Sequence, residues 1–104
     1  MALKNLSPQD VAADLKAGKI LLVDVREQNE FDAERIAGAV LVPLSKFDPK
    51  TLPDSGGKPI VFQCAGGVRS AKAVAACEAI GLPHDKHLAG GIAAWKAAGL
   101  PVTK

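Results

Sequence analysis

The order of apolar and polar positions along the chain predicts alternating helices and strands. Unbroken apolar runs, which are typical of strands buried on both faces of a parallel sheet, lie at Ile20–Val23 and Ala39–Val42. A third apolar run begins the strand predicted at Ile60–Gln63, and a brief strand is predicted near His87–Leu88. Helical patterns cover 8–17, 27–34, 70–80 and 91–98. The chain is therefore predicted to be an α/β protein, with helices on both faces of a parallel sheet.

Local signals place several of the element ends. Ser7 is expected to cap the first helix, with Pro8 in its first turn and Gly18 at its end. Pro43 ends the second apolar run, and a short helical turn is predicted over Leu44–Phe47. The stretch LPDSGGKP, rich in glycine and proline, is predicted to be a surface loop.

Composition narrows the class of protein. The 104 residues, of which 48% are hydrophobic and 23% charged, suit one globular domain over residues 1–104. A net charge of +2 and four aromatic residues argue against a nucleic-acid-binding surface. The sequence shows no apolar run long enough for a membrane span and no secretion signal. Two cysteines do not form a disulfide framework, so we expect a reduced, cytoplasmic protein. The sequence shows no heptad pattern and no long apolar edge, so we expect a monomer.

The strongest candidate for chemistry follows the third apolar run. In an open parallel sheet, ligands bind at the carboxyl ends of the strands, and Cys64-Ala65-Gly66-Gly67-Val68-Arg69 lies there, before a helix. Glycines let several amide N–H groups converge, and a helix N-terminus and an arginine add positive charge. A thiol in this position is expected to have a lowered pKa and to act as a nucleophile. The alternative is a buried cysteine that only fills space.

Other residues with reactive side chains fit structural roles better. Cys77 lies in an apolar helical stretch and is predicted to belong to the core. The spacing of Cys64, Cys77, His84 and His87 does not match a zinc site, so no metal is expected. Neither histidine is an obvious general base from its position in the sequence, although folding could bring one close to the thiol.

A charged cluster follows the first apolar run. Asp24, Arg26, Glu27 and Glu30 could supply a carboxylate pair for acid–base chemistry. The interpretation we favour is structural: Arg26 and Glu30, four residues apart, form an ion pair on the short helix, and Asp24 caps that helix.

Four segments together resemble a single-domain rhodanese, and they span nearly the whole chain. VDVREQNEFDAERIAGAVLVP and CAGGVRSA are similar to the first signature and to the active-site loop of that family. HLAGGIAAWKAAGLPV resembles its carboxyl-terminal signature, and SPQDVAADLKAG its opening helix. The resemblance implies a three-layer α/β/α domain with a five-stranded parallel sheet.

The resemblance also implies an activity. In the family, a cysteine thiolate attacks the outer sulfur of a donor such as thiosulfate, releases sulfite and becomes a persulfide, from which cyanide or a thiol takes the sulfur. Cys64 would be this catalytic residue. The donor anion and then the persulfide would be held by the loop and the start of the helix, namely Ala65, Gly66, Gly67, Val68, Arg69 and Ser70. No metal or organic cofactor is implied.

Two departures from the family pattern bear on these expectations. Glu34-Arg35 stand where many members have Gly-His, which bears on local packing. Ala65 stands where many members have an arginine, and the loss of this charge is expected to weaken thiosulfate binding. A protein persulfide is therefore a candidate donor beside thiosulfate.

Two other functions compete with sulfur transfer. A non-turnover sulfur carrier or docking module would keep the cysteine and form a persulfide that passes to one protein partner only. A cysteine phosphatase or arsenate reductase of the same fold would have His before the cysteine and five residues between Cys and Arg. Here Gln63 precedes Cys64 and four residues separate it from Arg69, so the loop is expected to suit sulfur better than phosphate.

Overall fold

A computed structural model describes residues 3–104, which form alternating strands and helices. The strands are β1 (Lys4–Leu6), β2 (Leu21–Asp24), β3 (Val40–Leu41), β4 (Ile60–Gln63) and β5 (Lys86–Leu88). The α-helices are α1 (Pro8–Lys16), α2 (Gln28–Ala33), α3 (Val68–Ala79) and α4 (Gly91–Ala97). Two 3₁₀ turns, Leu44–Lys46 and Pro49–Thr51, lie between β3 and β4.

The five strands form one sheet in the order β1-β5-β4-β2-β3, and every pairing is parallel. At the centre, β2 and β4 run together from Leu21 opposite Ile60 to Asp24 opposite Gln63. This register brings the carboxyl ends of the two strands to the same level, so the residues that follow them, Val25 and Cys64, lie at one edge of the sheet.

Apolar side chains fill both sides of the sheet, which makes the architecture three layers, α/β/α. One core joins α1 and α4 to the sheet and contains Val11, Leu22, Val61, Ile92 and Trp95. The other lies under α3. Successive strand residues such as Val61 and Phe62 therefore enter opposite cores, which explains the unbroken apolar runs.

Most of the predicted elements are confirmed. Ser7 caps α1, since its Oγ accepts a hydrogen bond of 3.1 Å from the amide of Asp10. The predicted strand at Ile60–Gln63 is found with the same bounds. None of the helices within residues 3–104 has the length and apolar character needed to span a bilayer.

The two edge strands are where the pattern was weakest. Our strand pattern missed β1, because only Leu6 among its three residues is apolar and the strand is defined by its pairing with β5. The prediction of a buried strand at Ala39–Val42 was wrong. Only Val40–Leu41 form β3, and Val40 is exposed, because β3 is an edge strand that pairs with β2 alone.

Glu34 and Arg35, which stand where many rhodaneses have Gly-His, both contact other parts of the chain. Arg35 exchanges two backbone hydrogen bonds of 2.7 Å with Thr103, which fastens the carboxyl-terminal segment beside α2. Its guanidinium lies 4.8 Å from the centre of the Phe31 ring, and Glu34 pairs with Lys96 of α4. These contacts join α2, α4 and the last residues of the chain.

Cys77 is fully buried in the α3 core, as predicted, and burial raises the pKa of its thiol. Cys77→Ala should lower the free energy of unfolding by about 1 kcal/mol, because it removes one buried heavy atom. Ile80→Ala, at an exposed position near the end of the same helix, should change it by less than about 0.5 kcal/mol. Urea unfolding measures both. Equal effects would contradict the assignment of Cys77 to the core.

Candidate functional site

Cys64 lies at the carboxyl end of β4, in a tight connection to α3. The helix begins at Val68, two residues before the predicted start, because Gly67 caps it with a left-handed backbone (φ +103°). A glycine cap has no polar side chain to reveal it in the sequence. The early start places Val68, Arg69 and Ser70 in the first turn of α3, so the connection itself is only Cys64 to Gly67.

Two backbone amides point at the Cys64 sulfur. The N–H groups of Gly67 and Ser70 donate to Sγ over 3.0 and 3.3 Å, and the Ser70 hydroxyl oxygen lies 3.6 Å from it. Burial disfavours the thiolate, but hydrogen bonds from the Ser70 hydroxyl and from the amides of Ser70, Gly67 and Gly66 lower the pKa of the Cys64 thiol. The lowered pKa agrees with the expectation from the sequence, and the role of Cys64 as a nucleophile stays a prediction.

The other loop residues contribute backbone rather than side-chain chemistry. Ala65 accepts a hydrogen bond of 3.1 Å from the amide of Ala93 through its carbonyl oxygen. Gly66 has no positive φ, and a Cβ there would meet nothing within 4 Å, so only Gly67 needs to be glycine for its conformation. The side chain of Val68 is exposed.

The first turn of α4 holds the loop in place. The amide of Ile92 donates to the carbonyl oxygen of Cys64 over 2.8 Å. Gly91, with φ +61°, packs so tightly that a Cβ on it would lie 2.7 Å from the carbonyl carbon of Ala65 and closer still to the carbonyl oxygen of Cys64. The absence of a side chain at Gly91 thus allows this close approach.

Arg69 does not stand as an unpaired positive charge. Its two terminal nitrogens donate to the two carboxylate oxygens of Glu30 over 2.6 and 2.9 Å. The hydrogen bond from Arg69 is the main reason why the pKa of Glu30 falls to about 2. The sequence predicts that Arg69 adds positive charge to the anion site, and in the structure this charge is paired with the Glu30 carboxylate.

The prediction that Arg26 pairs with the Glu30 carboxylate was also wrong. Arg26 donates to both carboxylate oxygens of Asp24, at 2.8 to 3.1 Å, and both residues are buried. Asp24 does not cap α2 either: the cap is Glu27, which forms a capping box with Glu30. The spacing in sequence suggested the neighbour on the helix, but the end of β2 turns Arg26 back onto Asp24.

A hydrogen-bonded chain behind the thiol was missed by the sequence analysis. Ser70 Oγ lies 2.7 Å from Nδ1 of His87, and Nε2 of His87 lies 2.6 Å from Oδ1 of Asn5. His87 belongs to β5 and Asn5 to β1, far from Cys64 in sequence. The available signal was a histidine inside a strand next to the one that ends at the cysteine.

His84 lies elsewhere, with its ring edge-on to Phe62 and ring centres 6.5 Å apart. Cys77 lies in the α3 core, in the same apolar cluster as Cys64, and no hydrogen bond joins its thiol to a residue within 3–104. Among residues 3–104, no three His, Cys, Asp or Glu side chains are grouped so that they could hold a metal ion.

A cavity of about 430 Å³ opens beside the cysteine loop. It is lined by α2, the loop and α4, namely Arg26, Glu30, Ala33, Glu34, Ala65, Ile92, Ala93 and Lys96. Each of its cations is matched by a carboxylate, since Arg26 pairs with Asp24 and Lys96 with Glu34, and Arg69 neutralises Glu30. The small side chain of Ala65 leaves one wall open and uncharged.

The family model described as "Rhodanese-like domain" matches residues 7–98. The chain belongs to the rhodanese-like domain family. The family includes sulfurtransferases, and the α/β fold with its five parallel strands is the rhodanese fold.

Curated relatives of this rhodanese-like chain include proteins longer than it. It is 38% identical over 100 residues to an uncharacterized protein of Synechocystis, covering 96% of the chain and 56% of that protein. It is 38% identical to the probable adenylyltransferase/sulfurtransferase MoeZ of Mycobacterium tuberculosis, covering 88% of the chain and 24% of MoeZ. The thiosulfate sulfurtransferase GlpE of Coxiella burnetii is 27% identical, over 93% of the chain and 91% of GlpE.

Solved structures share the fold over almost the whole length. A rhodanese-related protein from Thermoplasma volcanium superposes with a TM-score of 0.81 at 30% identity, covering 96% of this chain and 97% of the other. A Rhodopseudomonas palustris protein of unknown function, described as a possible tyrosine phosphatase, gives 0.80 at 30% identity, covering 97% and 85%.

Gly91→Ala should disturb the loop of this rhodanese-like domain, because the added methyl group meets the backbone of Cys64 and Ala65. Gly99→Ala is the matched control, since Gly99 also has a positive φ (+77°) but open space around it. The control should cost about 1 kcal/mol from backbone strain alone, and Gly91→Ala at least about 1 kcal/mol more. Urea unfolding decides, and equal losses would contradict the close approach.

The Glu30–Arg69 pair should make stability depend on pH. The folded-state pKa of Glu30, about 2, is below its ordinary value of 4.5, so the stabilisation is complete above the ordinary pKa and is lost as pH falls towards 2. We expect wild type to be more stable than Glu30→Gln at neutral pH, with a difference that shrinks between about pH 5 and pH 2. A difference in unfolding free energy that stays constant over this range would contradict the paired carboxylate.

Proposed function

We propose that this chain is a sulfurtransferase that moves a sulfane sulfur from a donor such as thiosulfate to a thiophilic acceptor, cyanide or a thiol, through a persulfide on Cys64. The observation that carries the proposal is the pair of amide hydrogen bonds from Gly67 and Ser70 to the Cys64 sulfur. The names of MoeZ and GlpE support it. Residues 1–104 would act as one rhodanese-like domain, with no metal or organic cofactor.

The reaction would proceed in two displacements at sulfur. The Cys64 thiolate attacks the outer sulfur of thiosulfate, the sulfur–sulfur bond of the donor breaks, and sulfite leaves with the bonding electrons. Cyanide or a thiolate then attacks the terminal sulfur of the persulfide and restores the Cys64 thiolate. The amides of the loop stabilise the negative charge that moves between these sulfur atoms.

Loop residues would share the work of binding. The backbone of Ala65, Gly66 and Gly67 and the start of α3, with Val68, Arg69 and Ser70, surround the place where the outer sulfur would sit. Because Glu30 neutralises Arg69 and Ala65 carries no charge, attraction for a dianion is weak. We therefore expect thiosulfate to react but to bind weakly, which leaves a protein persulfide as a candidate donor.

Phosphatase chemistry is the less favoured function, although one structural relative is described as a possible tyrosine phosphatase. Four residues separate Cys64 from Arg69, and Arg69 is engaged by Glu30. Gln63, which precedes the cysteine, is fully buried, and its side-chain amide makes no hydrogen bond to any residue within 3–104. It supplies no acid or base to a phosphate ester.

The proposed compartment and partners follow from the thiols. Cys64 and Cys77 are both free, which fits a reducing compartment such as the cytoplasm. The partners we propose are a small sulfur-containing anion as donor and cyanide or a thiol as acceptor, with no nucleic acid and no membrane, and the chain acting as a monomer.

Mass spectrometry of the intact protein tests the proposal. After incubation with thiosulfate, wild type and Cys77→Ala should each gain the mass of one sulfur atom, and Cys64→Ala should gain none. Cyanide should then remove the sulfur and release thiocyanate. The two cysteines are matched controls, since both are buried and free.

Other outcomes would point to the competing functions. A persulfide that forms on Cys64 but resists cyanide and small thiols, and passes only to a protein, would favour a sulfur carrier. Hydrolysis of an aryl phosphate that requires Cys64 would favour a phosphatase. Sulfur mapped to Cys77, or no sulfur on a folded protein with a free Cys64 thiol, would overturn the assignment with thiosulfate.

A further inference from the structure

A continuous chain of polar side chains leads away from the Cys64 sulfur into the sheet. Ser70 Oγ lies 3.6 Å from Sγ, and the next contacts, to His87 Nδ1 and from His87 Nε2 to Asn5 Oδ1, are 2.7 and 2.6 Å long. Ser70 is fully buried and His87 nearly so. Three separate elements, α3, β5 and β1, therefore supply a chain of polar groups that begins at the reactive atom.

The direction of each hydrogen bond follows from what the atoms can do. The Oδ1 atom of Asn5 only accepts, so the proton of a neutral His87 ring lies on Nε2. Nδ1 then carries a lone pair and accepts from the Ser70 hydroxyl. A hydroxyl has a single proton, and His87 offers a shorter contact than Gly67 O, at 3.2 Å, or Cys64 Sγ. Ser70 thus presents a lone pair to the thiol.

We propose that His87 is a positioning residue that accepts the Cys64 proton through Ser70. The thiol proton passes to Ser70 Oγ as the Ser70 proton passes to His87 Nδ1. The products are a Cys64 thiolate, a Ser70 hydroxyl that now donates to it, and an imidazolium whose Nε2–H still donates to Asn5. Each of the two transfers moves one proton, and the total charge of the three side chains is unchanged.

The surroundings of the imidazole suit this role. It faces Ser70 from α3 and Asn5 from β1, and its neighbour in β4 is Phe62. The charged residues that flank it and Asn5 in sequence, Lys4, Asp85 and Lys86, pair with one another. Burial lowers the pKa of His87, so the resting ring is neutral near pH 7, and the imidazolium forms only where the Cys64 thiolate and Asn5 stabilise it.

The inference deepens the proposed sulfurtransferase function, which needs the thiolate, but ionisation of Cys64 can be measured without any sulfur donor. The ultraviolet absorbance of the thiolate, followed against pH in a Cys77→Ala background, gives the pH at which half of the Cys64 thiol is ionised. His87→Asn keeps a group beside Ser70 that does not titrate, and should raise the midpoint by about one pH unit. His84→Asn, the matched control, should leave it unchanged.

A second measurement keeps His87 and uses the reciprocal effect of His87 and Cys64 on each other's pKa. If the thiolate and the imidazolium stabilise each other, the thiolate raises the pKa of His87 by the same amount as the imidazolium lowers the pKa of Cys64. The pH midpoint of the His87 titration, followed by NMR, should therefore be lower in Cys64→Ser than in wild type. The difference should equal the shift in the thiolate midpoint that His87→Asn causes at Cys64. Coincident His87 titrations, or a thiolate midpoint that His87→Asn does not move, would overturn the proposal. Linked titrations without sulfur transfer would instead overturn the proposed function.

Discussion

The contact between α4 and the cysteine loop is the constraint on which the rest of the site depends. The amides of Ile92 and Ala93 donate to the carbonyl oxygens of Cys64 and Ala65, and Gly91 allows this approach because it has no side chain. With the carbonyl groups turned towards α4, the amides of Gly67 and Ser70 converge on the sulfur. The loop is thereby preorganised to stabilise negative charge on the Cys64 sulfur.

The positive side chains beside the cysteine loop are all paired with carboxylates among the described residues. The cations beside the loop, Arg26, Arg69 and Lys96, are matched by Asp24, Glu30 and Glu34. The site therefore stabilises charge through oriented amides near the sulfur rather than through an excess of positive side chains. This arrangement suits the proposed reaction, in which one negative charge moves between sulfur atoms, and it gives little preference to a dianion.

Sequence patterns predicted the elements that are buried on both faces and failed at the edges. The strand at Ile60–Gln63 was predicted with the right bounds because every residue in it is buried. β1 was missed and β3 was predicted too long, because edge strands are defined by pairing on one side and carry mixed residues. For the same kind of reason the pairs Asp24–Arg26 and Glu30–Arg69 escaped prediction: the partner in each case was selected by the turn of the chain or by a separate helix.

The sequence by itself determined the α/β class and the position of Cys64 after a buried strand, in a segment whose glycines let the chain turn tightly. These are local properties, set by apolar runs and by backbone freedom at single residues. Only the tertiary structure decided what surrounds the thiol. Gly91, Glu30, His87 and Asn5 come from α4, α2, β5 and β1, and nothing in their local sequence specifies a distance to Cys64. Parallel pairing of the strands brings them together, because it places the ends of separate segments at one edge of the sheet.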